Sequence, residues 1–257
     1  MTSAPAPRAF DVRHVQLARA AFAGIAAVMI TFSPDHSAAV GAAVFSGFAI
    51  ATALVLLLSV WLVYPKGLRW PAAALGAVTL VAGMVAGLAP LRTVTGFFTT
   101  VIVWALVSGL IELIAGWQGL RGARTRRQIV PGVDDARPPS PLVPRSEARD
   151  AVVVGVVTIV LGIALLFVSP RFSLDYTIDD ANATFTLTGI IIGVGVFGGY
   201  AAIVAVYLAI AGFSPRGAAE PADVSAVDPA DVPAAVTSAE QPTDVPAGQP
   251  ADEKDPA

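Results

Sequence analysis

Long uninterrupted apolar stretches recur along the chain, at about residues 15–32, 38–63, 71–89, 96–118, 151–168 and 187–213. A helix needs about 20 apolar residues to cross a hydrocarbon core about 30 Å thick, so each stretch is long enough to span a membrane. Helices are required. None of the stretches shows the alternation of an outer-membrane barrel, and a lone strand would leave its backbone groups unpaired in lipid. Only 14% of the 257 residues are charged, against about 25% in an ordinary soluble domain. A soluble globular chain is thereby excluded.

The connecting segments set the orientation, because Lys and Arg accumulate on the cytoplasmic side. Arg8, Arg13 and Arg19 lie at the N-terminus, Lys66 and Arg69 follow the second span, seven arginines follow the fourth, and Arg216 follows the sixth. The other side carries Arg92 and Arg171 alone. The expected fold class is an all-α integral membrane protein of six transmembrane helices, arranged as three helical hairpins with both termini cytoplasmic. A competing reading takes the first stretch as a signal peptide cleaved near Ser37, which would leave five spans.

The expected organisation is a cytoplasmic N-terminus at 1–14, two membrane hairpins at 15–120, a basic, Pro-rich cytoplasmic loop at 121–149, a third hairpin at 150–213, and an acidic Pro/Ala-rich tail at 214–257. The loop and the tail lack the apolar content to bury a core and are expected to be disordered. Arg121, Arg124, Arg126 and Arg127 are expected to anchor the loop on an anionic inner leaflet, at about 1 kcal/mol each. The net charge of −3 hides a contrast, since residues 1–213 carry +4 and the tail −7. With no cysteine in the chain, disulfides and thiolate chemistry are excluded.

Three of the spans share an ending. Phe32-Ser33-Pro34, Leu88-Ala89-Pro90 and Val168-Ser169-Pro170 each close an apolar run, with Gly24, Gly83 and Gly162 a few residues earlier. Proline just beyond a helix end stops it without removing an internal hydrogen bond. The endings recur after 56 and then 80 residues, as three repeats with a long insertion would give. Trp70 to Arg121, with Trp104-Ala105-Leu106-Val107-Ser108-Gly109-Leu110-Ile111-Glu112 before a basic exit, resembles the HdeD-like proteins. Val153 to Gly212 is similar to the last repeat of that family, and Arg19 to Val63 fits the first more loosely. The resemblance implies a small six-span protein of the bacterial inner membrane, a role in envelope or acid-stress tolerance, and no catalytic residues.

Gly193, Gly195 and Gly198 match a dinucleotide-binding G-x-G-x-x-G. That motif needs a strand leading into a helix whose N-terminus meets phosphate in water, whereas these glycines lie inside an apolar span. Nucleotide and nucleic-acid partners are not expected. Close helix packing is the expected role of Gly83 and Gly87, Gly189 and Gly193, and Gly195 and Gly199, within one chain or in a homo-oligomer. The remaining expected partner is the lipid bilayer.

Glu112 is the carboxylate set deepest in a span. An ionised group near mid-bilayer costs about 2.5–3.5 kcal/mol even on the lenient insertion scale, so it is expected to face the bundle interior, with Arg19 as partner and Ser108 on the same helical face. Such a pair reads either as structural or as a proton- or cation-responsive site. Asp35 and His36, after Pro34, form an outer-face pair that reads as a polar turn or a pH sensor, since histidine changes charge near neutrality. Asp175, Asp179 and Asp180 read as solvated loop carboxylates. No metal, cofactor or enzyme signature is present. The leading expectation is a non-enzymatic HdeD-like membrane protein. The alternatives are a small transporter or channel with a polar path at Glu112 and Arg19, and an adaptor that recruits a partner through its acidic tail.

Overall fold

Each apolar stretch forms one helix: α1 (Val12–Phe32), α2 (Ala38–Leu62), α3 (Trp70–Gly87), α4 (Val94–Arg127), α5 (Arg145–Phe167) and α6 (Gly189–Phe213). All six are long and apolar enough to cross a membrane. The computed structural model describes residues 11–127, 144–178 and 183–214. The expected acidic tail, the N-terminal ten residues and most of the Arg/Pro-rich loop lie outside them.

Local chemistry sets the helix ends. Ser37 caps α2, its Oγ accepting from the Val40 N–H, and Pro71 sits in the first turn of α3, where a missing N–H costs nothing. Helices α1 and α5 stop two and three residues before Pro34 and Pro170, and α3 ends before a short 3-10 turn, Ala89–Leu91, that contains Pro90. Residues 121–127 and 145–149, read from sequence as part of the basic loop, are helical, so α4 and α5 run beyond their apolar stretches.

The helices close a ring in chain order whose contacts alternate. Packing is most extensive between α4 and α5, α1 and α6, and α2 and α3, and lighter between α1 and α2, α3 and α4, and α5 and α6. Glycine explains the alternation. A Cβ on Gly155 of α5 would stand 2.8 Å from the Gly109 carbonyl oxygen of α4, and one on Gly116 would stand 2.6 Å from the Ala148 carbonyl oxygen. Gly83 would meet Ile50 and Ala49, and Gly198 and Gly212 would meet Ile30 and Leu17. Without these side chains the backbones approach closely enough for van der Waals packing to hold helices together where lipid supplies no hydrophobic drive. The two helices joined by each Pro-ended turn are therefore not the ones that pack most closely.

The outward surfaces are apolar as well. Val28, Phe32, Leu58, Trp61, Val81, Val103, Leu166, Phe167 and Ile210 are all exposed, on every helix in a pattern that a water-facing surface does not sustain.

One element was not expected. The segment read as an outward loop, Ser169 to Thr186, contains a β-hairpin, β1 (Ser173–Ile178) and β2 (Ala183–Thr188), paired antiparallel with Leu174 opposite Leu187 and Tyr176 opposite Phe185. Alternation places Ser173, Asp175, Thr177, Thr184, Thr186 and Thr188 on the other face. There Thr186 donates to Asp175 Oδ1 at 2.5 Å. Asp179 and Asp180 lie outside the described residues.

Candidate functional site

The ring interior divides into two levels. At the level nearer the β-hairpin, α2, α4 and α6 supply an aromatic cluster. Phe45 meets Trp104 and Phe197 edge to face, with centroids 5.1 and 5.4 Å apart, and Phe48 meets the same two rings at 5.9 and 5.8 Å. Edge-to-face pairs of this kind are favoured by the ring quadrupole. Tyr200 lies 6.0 Å from Trp104 and stacks on Phe197. The polar tips of the cluster reach the intervening helices. Trp104 Nε1 donates to Thr79 Oγ1 of α3 at 3.2 Å, and the Tyr200 hydroxyl lies 3.0 Å from Thr158 Oγ1 of α5.

Next comes an ionic layer. Arg19 of α1 donates through Nη2 to Glu112 Oε1 of α4 at 2.6 Å, with Glu112 7% exposed. The sequence expectation of this pair is met across 93 residues of separation. A charge-assisted bond this short is among the stronger hydrogen bonds, and each charge needs the other, because either one alone would be stranded in a low-dielectric interior. Ser108, one turn before Glu112, donates to the Trp104 carbonyl at 2.6 Å.

Two cavities flank the pair. The smaller, about 20 Å³, is bordered by Arg19, Glu112, Ser108, Thr79, Thr158 and Thr52. Thr52 Oγ1 is buried there without a hydrogen-bond partner. About 10–15 Å³ of such space is enough for one water, and the polar lining offers it partners. The larger cavity, about 130 Å³, runs from Arg19 and Glu112 toward the basic ends of the helices, between apolar walls that include Val15, Leu56, Leu75 and Ile111.

A second polar cluster borders the larger cavity. Asp150 of α5 accepts from Gln16 Nε2 of α1 through Oδ2 at 2.9 Å, and from the Tyr207 hydroxyl of α6 through Oδ1 at 3.0 Å. These residues stand 134 and 57 positions from Asp150, and no local pattern pairs them. The available signal was a carboxylate at the edge of the fifth apolar stretch.

The other expected residues stand apart from this centre. Asp35 accepts from the Ser37 N–H at 2.8 Å and from the Ser37 hydroxyl at 3.0 Å, leading into α2. No hydrogen bond joins Asp35 to His36 among the described residues, and their geometry is that of a turn. Arg121 lies over the Trp117 ring at 5.0 Å, a cation–π contact. Arg124, Arg126 and Arg127 belong to the last turns of α4. Of the expected packing glycines, Gly83, Gly87, Gly189 and Gly193 each face a close neighbour, respectively Ile50, Ser46, Ser169 and Phe98. Gly195 and Gly199 face open space. No group of His, Cys, Asp or Glu among the described residues is arranged to hold a metal ion. Comparison with protein-family models, curated proteins and solved structures finds no match to this chain.

Proposed function

We propose that the chain is a non-enzymatic, multi-pass protein of the bacterial inner membrane, of HdeD-like type, with three helical hairpins and both termini in the cytoplasm, serving envelope or acid-stress tolerance. The observation that carries the membrane placement is the charge distribution. Lys66, Arg69, Arg121, Arg145 and Arg149 flank one set of helix ends, and the opposite ends carry Arg92 and Arg171. The role in stress tolerance rests on the resemblance of Trp70 to Arg121 and Val153 to Gly212 to that family.

A chain without native cysteine allows a direct test of orientation. A single cysteine at Thr184 is expected to react with a membrane-impermeant maleimide in intact cells, and one at Arg124 only after lysis. The reverse pattern would invert the topology. For the role itself, a deletion strain is expected to survive acid challenge less well than the same strain carrying the gene, and equal survival would remove the stress reading.

The cavity beside Arg19 and Glu112 favours a second reading, in which the bundle binds and passes a small solute. Flux into liposomes that is lost in Glu112→Gln would support it, and flux unchanged by that substitution would remove Glu112 from the path.

A further inference from the structure

The larger cavity contains a charge that the Arg19–Glu112 pair does not explain. Arg19, Glu112 and Asp150 all border it, and the guanidinium among them is bonded to Glu112 at 2.6 Å. Asp150 is held differently. Both its oxygens accept from neutral donors, Gln16 Nε2 and the Tyr207 hydroxyl, and no cationic side chain lies within ion-pair distance of it among the described residues. The two arginines that precede it in α5, Arg145 and Arg149, are exposed and do not border the cavity.

Neutral donors orient a carboxylate without neutralising it. Gln16 is 6% exposed, so α1 and α6 hold Asp150 in a fixed position from two sides, on the wall of a space whose apolar lining includes Val15, Leu75 and Ile111 and which also meets the Arg19–Glu112 pair. A fixed carboxylate facing apolar walls is the usual complement of a molecule with one cationic end and a hydrocarbon body. A volume of about 130 Å³ limits that body to about the size of a benzene ring, since a dry cavity of about 150 Å³ holds benzene.

We infer that this cavity is a binding site for a small monovalent organic ammonium ion, its amine paired with Asp150 and its apolar body against Leu75 and Ile111. The inference names a ligand class for the solute-binding reading and rests on that reading for its biological use, although binding itself does not require transport.

The test is equilibrium binding of benzylammonium to the full chain in nanodiscs, beside benzyl alcohol as the neutral analogue and benzoate as the anionic one. Saturable binding of benzylammonium is expected, with each analogue at least about tenfold weaker, as the loss of a desolvated charge pair implies. Asp150→Asn should weaken benzylammonium by a similar factor. Ala72→Phe, which fills the cavity from α3 and leaves Asp150 in place, should abolish binding, and it decides the matter if the Asp150 variant does not fold. Benzoate binding more tightly than benzylammonium, or benzylammonium affinity unchanged in both variants, would overturn the inference. Saturable binding without liposome flux keeps the site and removes the solute-passing reading, so the two fail separately.

Discussion

The two levels of the bundle interior share α4 and α6 but fill their space in opposite ways. Toward the β-hairpin, Phe45, Phe48, Trp104 and Phe197 interlock with every ring buried. Toward the basic ends, an ion pair, a carboxylate cluster and about 130 Å³ of space replace them. The aromatic level depends on shape and the ionic level on charge pairing. Along α4, Trp104 and Glu112 are two helical turns apart, so one helix contributes to both levels.

The difference predicts unequal responses to substitution. Arg19→Ala should be the most damaging change, since removing one member of a buried pair typically costs about 3–5 kcal/mol. The double variant Arg19→Met, Glu112→Leu should recover most of that stability, and a double variant no more stable than the single would show that the pair contributes beyond its own neutralisation. Phe45→Ala at the aromatic level should cost about 3 kcal/mol, measured by thermal unfolding in detergent. A loss below about 1 kcal/mol would mean that the cluster collapses into the space.

A test of the glycine interfaces ranks next. Gly155→Val should lose about 2 kcal/mol, as overpacking against backbone does, because its Cβ would sit 2.8 Å from the Gly109 oxygen. Gly195→Val, in open space, should change stability by less than about 0.5 kcal/mol. Equal losses at the two positions would mean that Gly195 meets another chain. The smallest effect is expected at Thr52→Val. It removes a buried hydroxyl with no protein partner and should be neutral to slightly stabilising, whereas a loss above about 1 kcal/mol would reveal a tightly held water.

The helices and the ion pair were legible in sequence because both follow from cost. An apolar run of about 20 residues is read from composition alone, and a carboxylate so deep in a span calls for a cation at similar depth, which Arg19 supplies. The cluster of Gln16, Asp150 and Tyr207 was not legible. It depends on α1, α5 and α6 meeting at one point, which is a property of ring order, and ring order is set by glycine contacts between helices that are far apart in sequence. The Pro-ended repeats pointed to the hairpins as packing units, but the glycines make the tighter pairs between successive hairpins and between the chain ends. The β-hairpin did leave a trace, the alternation of Leu174, Tyr176 and Ile178 with polar residues. Its aspartates and its place between two spans led to a loop reading instead.

The close packing of α1 against α6 has a consequence for biosynthesis. Helix α1, made before the other five, packs more extensively with α6, made after them, than with its sequence neighbour α2. Until α6 is made, Ile30 and Leu17 lack the glycines they pack against, and Asp150 lacks the Tyr207 hydroxyl. A nascent chain that stops short of α6 would therefore carry an unfilled seam along α1, so the bundle closes only when its sixth helix is in place.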